Sequence, residues 1–418
     1  METKEELRLR YLELLSEKYP TIAAASTEII NLQAILSLPK GTEHALSDIH
    51  GEAEQFFHVL KNGSGAVRSK IDEAFGNELS IKDKKVLATI IYYPEQKLKL
   101  MMAEEENKED LYKTIFSRLI RVCQHCQTKY TRSKVRKAMP EDFRYIMEEL
   151  IYEQADVANK EAYYNEIINT IIRIGRAKEF IVALCNLIQR LVIDHLHIVG
   201  DIFDRGDSAE KIVDLLMRRH SLDIEWGNHD ILWMGAASGS EACIANVVRN
   251  CVKYRNLRTL ESGYGVSLRA LTLFARQTYG GEPMEAALKA IAVIQFKLEG
   301  QAILRHPEYG MDDRLLLGKI NGGTVESEGV TYELNDSFFP TVNPDSSYEL
   351  TEGEREVIDG LRDSFLNSAV LRSHITFLYE KGGMYRCCNG NLLYHGCVPL
   401  RDDGSFDEVE HFGKRYSG

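Results

Sequence analysis

Four short stretches of this 418-residue chain bring aspartate, histidine and asparagine together in a way that suits metal-assisted chemistry. The first is Ser47-Asp48-Ile49-His50-Gly51 and the second Gly200-Asp201-Ile202-Phe203-Asp204-Arg205-Gly206. The third is Gly227-Asn228-His229-Asp230 and the fourth His395-Gly396. Taken singly, each has an ordinary structural reading as a polar turn, a turn tip or a surface ion pair. Taken in order, they offer carboxylate and amide oxygens with imidazole nitrogens, a donor set suited to Mn²⁺, Fe or Zn²⁺. Glycines at 51, 200, 206, 227 and 396 flank these residues and permit the tight backbone that carries a ligand to an ion.

Residues of this kind need rigid elements to aim them, and the flanking pattern supplies strands and helices. His44-Ala45-Leu46 is a short apolar approach to the first stretch, and Glu52 to Leu60 follows at helical spacing until Asn62-Gly63. Leu196 to Val199 leads into the second stretch, after which Asp207 and Glu210 suggest a capping box opening a helix that Arg218, Arg219 and His220 close. Ile224 to Trp226 leads into the third, and a hairpin pattern, Met384 to Arg386 and Leu392 to Tyr394 around Asn389-Gly390-Asn391, delivers the fourth. Strand, polar loop, helix is the grammar of an α/β sheet, whose ligands gather at the carboxyl ends of its strands.

Roughly 150 residues separate the first two stretches, far more than one connection needs. Val86 to Tyr93, Leu111 to Val122 and Phe143 to Tyr152 are apolar at helical spacing, which predicts a helical insertion over 63–195 that caps the site or builds an oligomer face. Residues 1–62 then form an N-terminal helix plus the first strand-loop-helix, and 196–418 the rest of the core. Between Glu2 and Leu38, Leu7, Tyr11, Leu14, Leu15, Ile29, Ile30, Leu32 and Ile35 are spaced like buried stripes broken at Pro20. Gly322 to Val342 reads as short strands and turns.

Composition narrows the function. A hydrophobic content of 44% with 27% charged residues describes a globular protein. The net charge of -12 and a pI near 5.6 argue against general nucleic-acid binding, a nuclease included. A phosphorylated substrate would need local positive charge, which bound cations supply. No stretch is long and apolar enough for a membrane span and the charged start is unlike a signal peptide, so the cytoplasm is the expected compartment. Cys123 and Cys126 form a single CxxC with no second pair nearby, which predicts reduced thiols. His195 and His197, alternating along a strand, are expected to pack or face solvent, His125 to be exposed, and His306 to join a loop ion pair.

The four stretches resemble the signature of the calcineurin-like metallophosphoesterases: Asp-x-His, Gly-Asp-x-x-Asp-Arg, Gly-Asn-His-(Asp/Glu), then separated histidines. More narrowly, Ser47 to Glu52, the long helical insertion and Tyr394-His395-Gly396-Cys397-Val398-Pro399 resemble the bacterial class III fructose-1,6-bisphosphatases, over essentially the whole chain. The resemblance implies a layered αββα sandwich with a large helical insertion. It implies two divalent ions, most simply Mn²⁺, with Asp48, His50 and Asp201 holding one, and Asp201, Asn228 and His395 the other. Ions about 3.5 to 4 Å apart activate a water and clamp the phosphoryl oxygens during in-line attack. Arg205 would bind phosphate oxygens through its planar fork, His229 would protonate the leaving alkoxide, and Asp204 would orient that imidazole.

The implied reaction is hydrolysis of fructose 1,6-bisphosphate to fructose 6-phosphate in gluconeogenesis, with a sugar bisphosphate as partner, no nucleic acid or membrane, and a homo-oligomer through the insertion. Rival expectations are a protein serine/threonine phosphatase, a dinucleotide polyphosphate hydrolase, or a metal-binding fragment without activity. The last arises because the family pattern ends in a Gly-His pair beyond the His-Gly loop. No such pair follows Gly396, so the resemblance implies a chain cut short at its carboxyl end.

Overall fold

The computed structural model describes residues 3–152 and 160–418. Glu2, at the head of the first helical pattern, and residues 153–159 of the expected insertion lie outside the described residues. Contacts divide the chain into two compact units, 1–43 with 58–195, and 44–57 with 196–418. The N-terminal helices therefore group with the insertion, whereas the sequence pattern assigns 1–62 to the core as one piece.

The first unit is helical. Lys108–Cys126 and Ala177–Val192 run through its centre, with Phe116, Leu119, Phe180 and Leu184 fully buried. Phe180 receives Phe116 and Phe143 edge-on, at 5.5 and 5.2 Å between ring centroids, the geometry aromatic quadrupoles favour. Cys123 and Cys126 face this apolar interior, and burial pushes the Cys126 thiol up to about 12, so it stays protonated. His125 is half-buried and not exposed as the sequence suggests, because its ring reaches Glu73 at 2.7 Å and holds that carboxyl down to about 2. The helices Lys4–Lys18 and Ile22–Leu36 break around Pro20 as expected, yet bury no residue, and Leu7, Tyr11, Leu14, Ile29 and Ile30 are exposed. Their apolar side chains are left largely open, although Asn31 and Ile35 of the second helix line a pocket with Tyr130, Thr131 and Arg190 of the same unit.

The second unit is mixed α/β. Its sheet has the order β1 (Glu43–Leu46), β2 (His195–Val199), β3 (Leu222–Glu225) and the short strand Gly382–Gly383. β3 runs parallel to both of its neighbours, with Leu196 facing Leu222 and Val199 facing Glu225 across the ladder. Helices Ala53–Asn62, Ala209–Leu216 and Asn228–Ala237 follow the first three strands. The second of these opens at Ser208 without a side-chain cap, so the capping box expected from Asp207 is absent. The Asp207 carboxylate instead accepts from the Ser208 hydroxyl at 3.0 Å. Beyond the sheet, residues 320–333 form a small three-stranded antiparallel sheet, and Arg386–Cys388 pairs with Asn391–Leu393 through a turn in which Asn389 and Gly390 both have positive φ.

Between the strands lies a buried polar layer. His197 Nδ1 and Asp223 Oδ1 are 2.6 Å apart, and Arg386 approaches the other Asp223 oxygen at 3.6 Å. Glu225, 1% exposed, has one oxygen, Oε2, without a hydrogen-bond partner among the described residues. Burial, reinforced by Asp223 and opposed by His197 and Arg386, pushes the Glu225 carboxyl up to about 7. A carboxyl raised in the fold contributes stability that is fully present below its unfolded value and lost as pH rises through the folded one. Glu225→Gln stays neutral, so between about pH 5 and about pH 8 the native chain should lose on the order of 2 kcal/mol relative to this variant. Urea unfolding of both proteins at the two pH values measures this, and equal pH slopes would remove Glu225 as the cause.

Candidate functional site

Three of the residues singled out in the sequence pay a local conformational cost. Asp48, His50 and Asp201 sit in the left-handed region at φ 54°, 52° and 55°. Such backbone costs on the order of 1 to 3 kcal/mol per residue and persists only where its surroundings impose it. Here a ladder of main-chain hydrogen bonds imposes it. The N–H groups of Asp48, His50 and Gly51 donate to the carbonyls of Gly200, Asp201 and Ile202 at 3.1, 2.8 and 2.8 Å, and Gly206 N–H returns to His50 O at 2.6 Å. Gly51 and Gly206 meet backbone to backbone, so a Cβ on either would collide with the other. The first two loops are one structural piece.

The third loop is joined to the second by Asp230, which is 0% exposed. Its Oδ1 accepts from Ile202 and Phe203 N–H at 2.9 and 3.3 Å, and its Oδ2 from Asp201 and Gly227 N–H at 2.9 and 3.0 Å. Burial drives this carboxyl up to about 6 and Asp201 adds to the rise, while the N–H donors of Gly227, Phe203 and Ile202 pull it down. Since each oxygen already accepts two N–H bonds, no position remains for a proton, and the group is read as a carboxylate. Gly227 fits because nothing larger does: a Cβ there would meet the Asp201 carboxylate.

On this frame the polar side chains converge. Asp201 Oδ2 lies 3.4 Å from His50 Nε2 and 3.3 Å from His395 Nε2, and Asp48 Oδ1 lies 3.6 Å from His50 Nε2. Asp48, Asp201 and His395 each present a ligand atom within 4.8 Å of the others. His395 Nδ1 is 3.0 Å from the Val199 carbonyl, which only accepts, so Nδ1 carries hydrogen and the neutral ring turns a lone pair toward Asp201. Burial pulls the His395 imidazole down, but the Val199 carbonyl and the carboxylates of Asp201, Asp48 and Asp230 outweigh it and hold it above its ordinary value. Acceptors converging on one point suit a divalent cation, so this donor set fits a metal ion.

A second cluster adjoins the first. Asp204, buried, places Oδ1 3.5 Å from His229 Nδ1, and Oδ2 3.3 Å from Arg205 Nε and 3.9 Å from His50 Nδ1. Arg205 is exposed, so its guanidinium can reach a ligand. Asn228 opens the helix Asn228–Ala237 with its residue exposed, between Gly227 and His229, whose N–H donates to Asp201 Oδ1 at 3.1 Å. The structure thus brings together Asp48, His50, Asp201, Asp204, Arg205, His229 and His395, with Asn228 on the adjoining helix turn. Gly396, grouped with the tight glycines by sequence, faces open space instead.

Two residues of the site carry no signal in the sequence, and a third, Asp230, stands in the third stretch without an assigned role. Asn250 Nδ2 donates to Asp204 Oδ1 at 2.7 Å, and Asn256 Nδ2 to the carbonyls of Asp204 and Gly206 at 2.7 and 3.1 Å. Neither has a local signal. The third, Asp230, does: it stands three residues after the N-cap Gly227, where a capping-box acid belongs. Asp230→Asn replaces an acceptor oxygen by a donor, leaving two buried N–H groups unpaired. Stability should fall by about 3 kcal/mol and Mn²⁺ affinity by roughly tenfold or more. Urea unfolding and calorimetric metal titration check both, and a variant unchanged in the two would refute the tie between the loops.

The description "Firmicute fructose-1,6-bisphosphatase" matches residues 10–418. The chain is 57% identical to fructose-1,6-bisphosphatase class 3 1 of Clostridium beijerinckii, 56% to fructose-1,6-bisphosphatase class 3 of Clostridium novyi and 55% to that of Alkaliphilus metalliredigens. Each alignment covers 98% of this chain and 65% of the relative, so the chain spans just under two thirds of the length of these relatives. No solved structure matches it significantly. With the family description covering nearly every residue and relatives above half identity, the chain belongs to the Firmicute fructose-1,6-bisphosphatase family.

Proposed function

We propose that the chain carries the catalytic core of a divalent-metal-dependent phosphomonoester hydrolase that converts fructose 1,6-bisphosphate and water to fructose 6-phosphate and phosphate, a gluconeogenic step. The observation that carries this reading is the convergence of Asp48, His50 and His395 on the Asp201 carboxylate, in a chain whose relatives are named for that reaction. The fold reading that goes with it is a calcineurin-like layered sandwich, supported by parallel strands whose carboxyl ends carry the polar loops.

Asp48, His50 and Asp201 would hold one cation, and Asp201, Asn228 through its amide oxygen, and His395 the other, with Mn²⁺ the favoured metal. When bound, such a pair neutralises the phosphate and lowers the pKa of the attacking water. The chain's own residues do the rest. Arg205, exposed beside Asp204, offers its planar fork to the phosphoryl oxygens. His229 donates a proton to the departing sugar oxygen, and Asp204, 3.5 Å from its Nδ1, orients the ring for that transfer. Among the described residues no helix is long and apolar enough to cross a membrane, and a cytoplasmic enzyme forming oligomers through its helical unit belongs to the same proposal.

Phosphate release from fructose 1,6-bisphosphate, a phosphopeptide and a dinucleotide polyphosphate, each with Mn²⁺, Mg²⁺ and Zn²⁺, tests the substrate. Fructose bisphosphate with Mn²⁺ should be turned over fastest. A faster phosphopeptide or dinucleotide reaction would assign the site to another phosphoesterase, and no turnover at all would leave a metal-binding core without activity. His229→Ala should keep its metals and lose roughly 10² to 10⁴ in rate, with a smaller defect for a nitrophenolate leaving group that needs no proton. Loss of metal in this variant would assign His229 to coordination instead.

A further inference from the structure

Asp204 faces two imidazoles at once. Its Oδ1 looks toward His229 Nδ1 and its Oδ2 toward His50 Nδ1, while the opposite nitrogen of His50, Nε2, looks toward Asp201 and Asp48. A carboxylate turns easily about its last torsion, which is broad and roughly two-fold, so facing two partners does not by itself fix its plane. The distances, 3.5 and 3.9 Å, are too long for either imidazole to do so.

Arg205 Nε stands 3.3 Å from Oδ2 as an ion pair without hydrogen-bond geometry, and one side chain makes a hydrogen bond short enough to fix the plane. Asn250, from the helix Glu241–Tyr254 and outside all four loops, donates Nδ2 to Asp204 Oδ1 at 2.7 Å. Only the amide nitrogen can make this bond, because a carboxylate has nothing to donate. Asn256, 2% exposed, fixes the main chain beneath by bonding the carbonyls of Asp204 and Gly206. Two asparagines thus hold one aspartate, Asn256 by its backbone and Asn250 by its carboxylate plane. With one lone pair of Oδ1 taken by Asn250, the other is left for His229.

We propose that Asn250 is a positioning residue for proton transfer: it locks the Asp204 carboxylate in the one orientation that keeps His229 Nδ1 protonated and its Nε2 aimed at the leaving group. The inference rests on His229 as proton donor and does not depend on which sugar phosphate is the substrate.

The test uses Asn250→Ala and the volume-preserving Asn250→Leu in the full chain, with aryl phosphates of graded leaving group. Both variants should lose roughly tenfold to a hundredfold in kcat with poor leaving groups and little with nitrophenolate, at near-native Mn²⁺ affinity by calorimetry. Added to His229→Ala, neither should slow the enzyme further, as expected of residues acting through one another. A uniform loss across leaving groups, an additive loss in the double variant, or a fall in metal affinity matching the fall in rate would overturn the proposal. One readout needs no turnover at all. Imidazole ¹⁵N spectra of histidine-labelled protein, with His229 identified by its loss in His229→Ala, should show its Nδ1-protonated tautomer giving way in both Asn250 variants. An unchanged spectrum would refute the role of Asn250 even if no phosphate ester were hydrolysed, whereas failure on fructose bisphosphate alone would count against the substrate reading only.

Discussion

A single buried carboxylate holds the centre of this structure together. Asp230 takes four main-chain N–H groups, three from the run Asp201 to Phe203 and one from Gly227. Burying an isolated carboxylate costs several kcal/mol, and hydrogen bonds to a charged acceptor return about 1.5 to 3 kcal/mol each, so four are enough to keep it ionised and in place. The effect is geometric as much as energetic. Asp201 is gripped at its own N–H, and its Oδ1 is gripped again by His229 N–H, so its Oδ2 is left to face His50 and His395.

The left-handed backbone of Asp48, His50 and Asp201 belongs to the same economy of constraint. Residues spaced by two, such as Asp48 and His50, already share a face on extended backbone; what their left-handed φ adds is a turn of the chain just past β1, where His50 Nε2 lies near both Asp48 and Asp201. Glycine would adopt that conformation at lower cost but carries no ligand atom. The strain is held by hydrogen bonds between the first and second loops, so it is set by tertiary structure rather than by local preference.

This division explains what could be read from the sequence. The strand, loop and helix grammar around Asp48, Asp201 and Asn228 is written in short-range periodicity, and the hairpin before His395 in its Asn389-Gly390 turn, so both were legible. Asn250 and Asn256 were not, because a polar residue on a helix or just past its end signals nothing until the fold brings Asp204 against it. Glu225 was hidden for a related reason: an acid at a strand end reads as solvated, and only the packing of β3 between two other strands buries it. The N-terminal helices mislead in the opposite sense. Leu7, Tyr11 and Leu14 have the spacing of a buried stripe, but periodicity states which face could be covered and not whether anything covers it.

The four loops are not held alike. Three are welded by the ladder between the first two and by Asp230, while the fourth reaches the site by another route. Trp226, directly after β3, accepts the chain returning from the helix Ala369–Lys381: its main-chain N–H donates to Gly383 O at 2.9 Å and its indole N–H to Leu378 O at 3.0 Å. The Arg386–Leu393 hairpin follows, and His395 is then pinned by its Nδ1–H to Val199 O, at the end of β2. Because β2 also leads directly into Asp201, the carboxylate and the imidazole that faces it are referenced to the same strand end. A change in the packing of β2 therefore moves both partners together and preserves their separation. Displacement of the hairpin, tied to this sheet by the His395 bond to Val199 O and by Arg386 beside Asp223, instead moves His395 relative to Asp201.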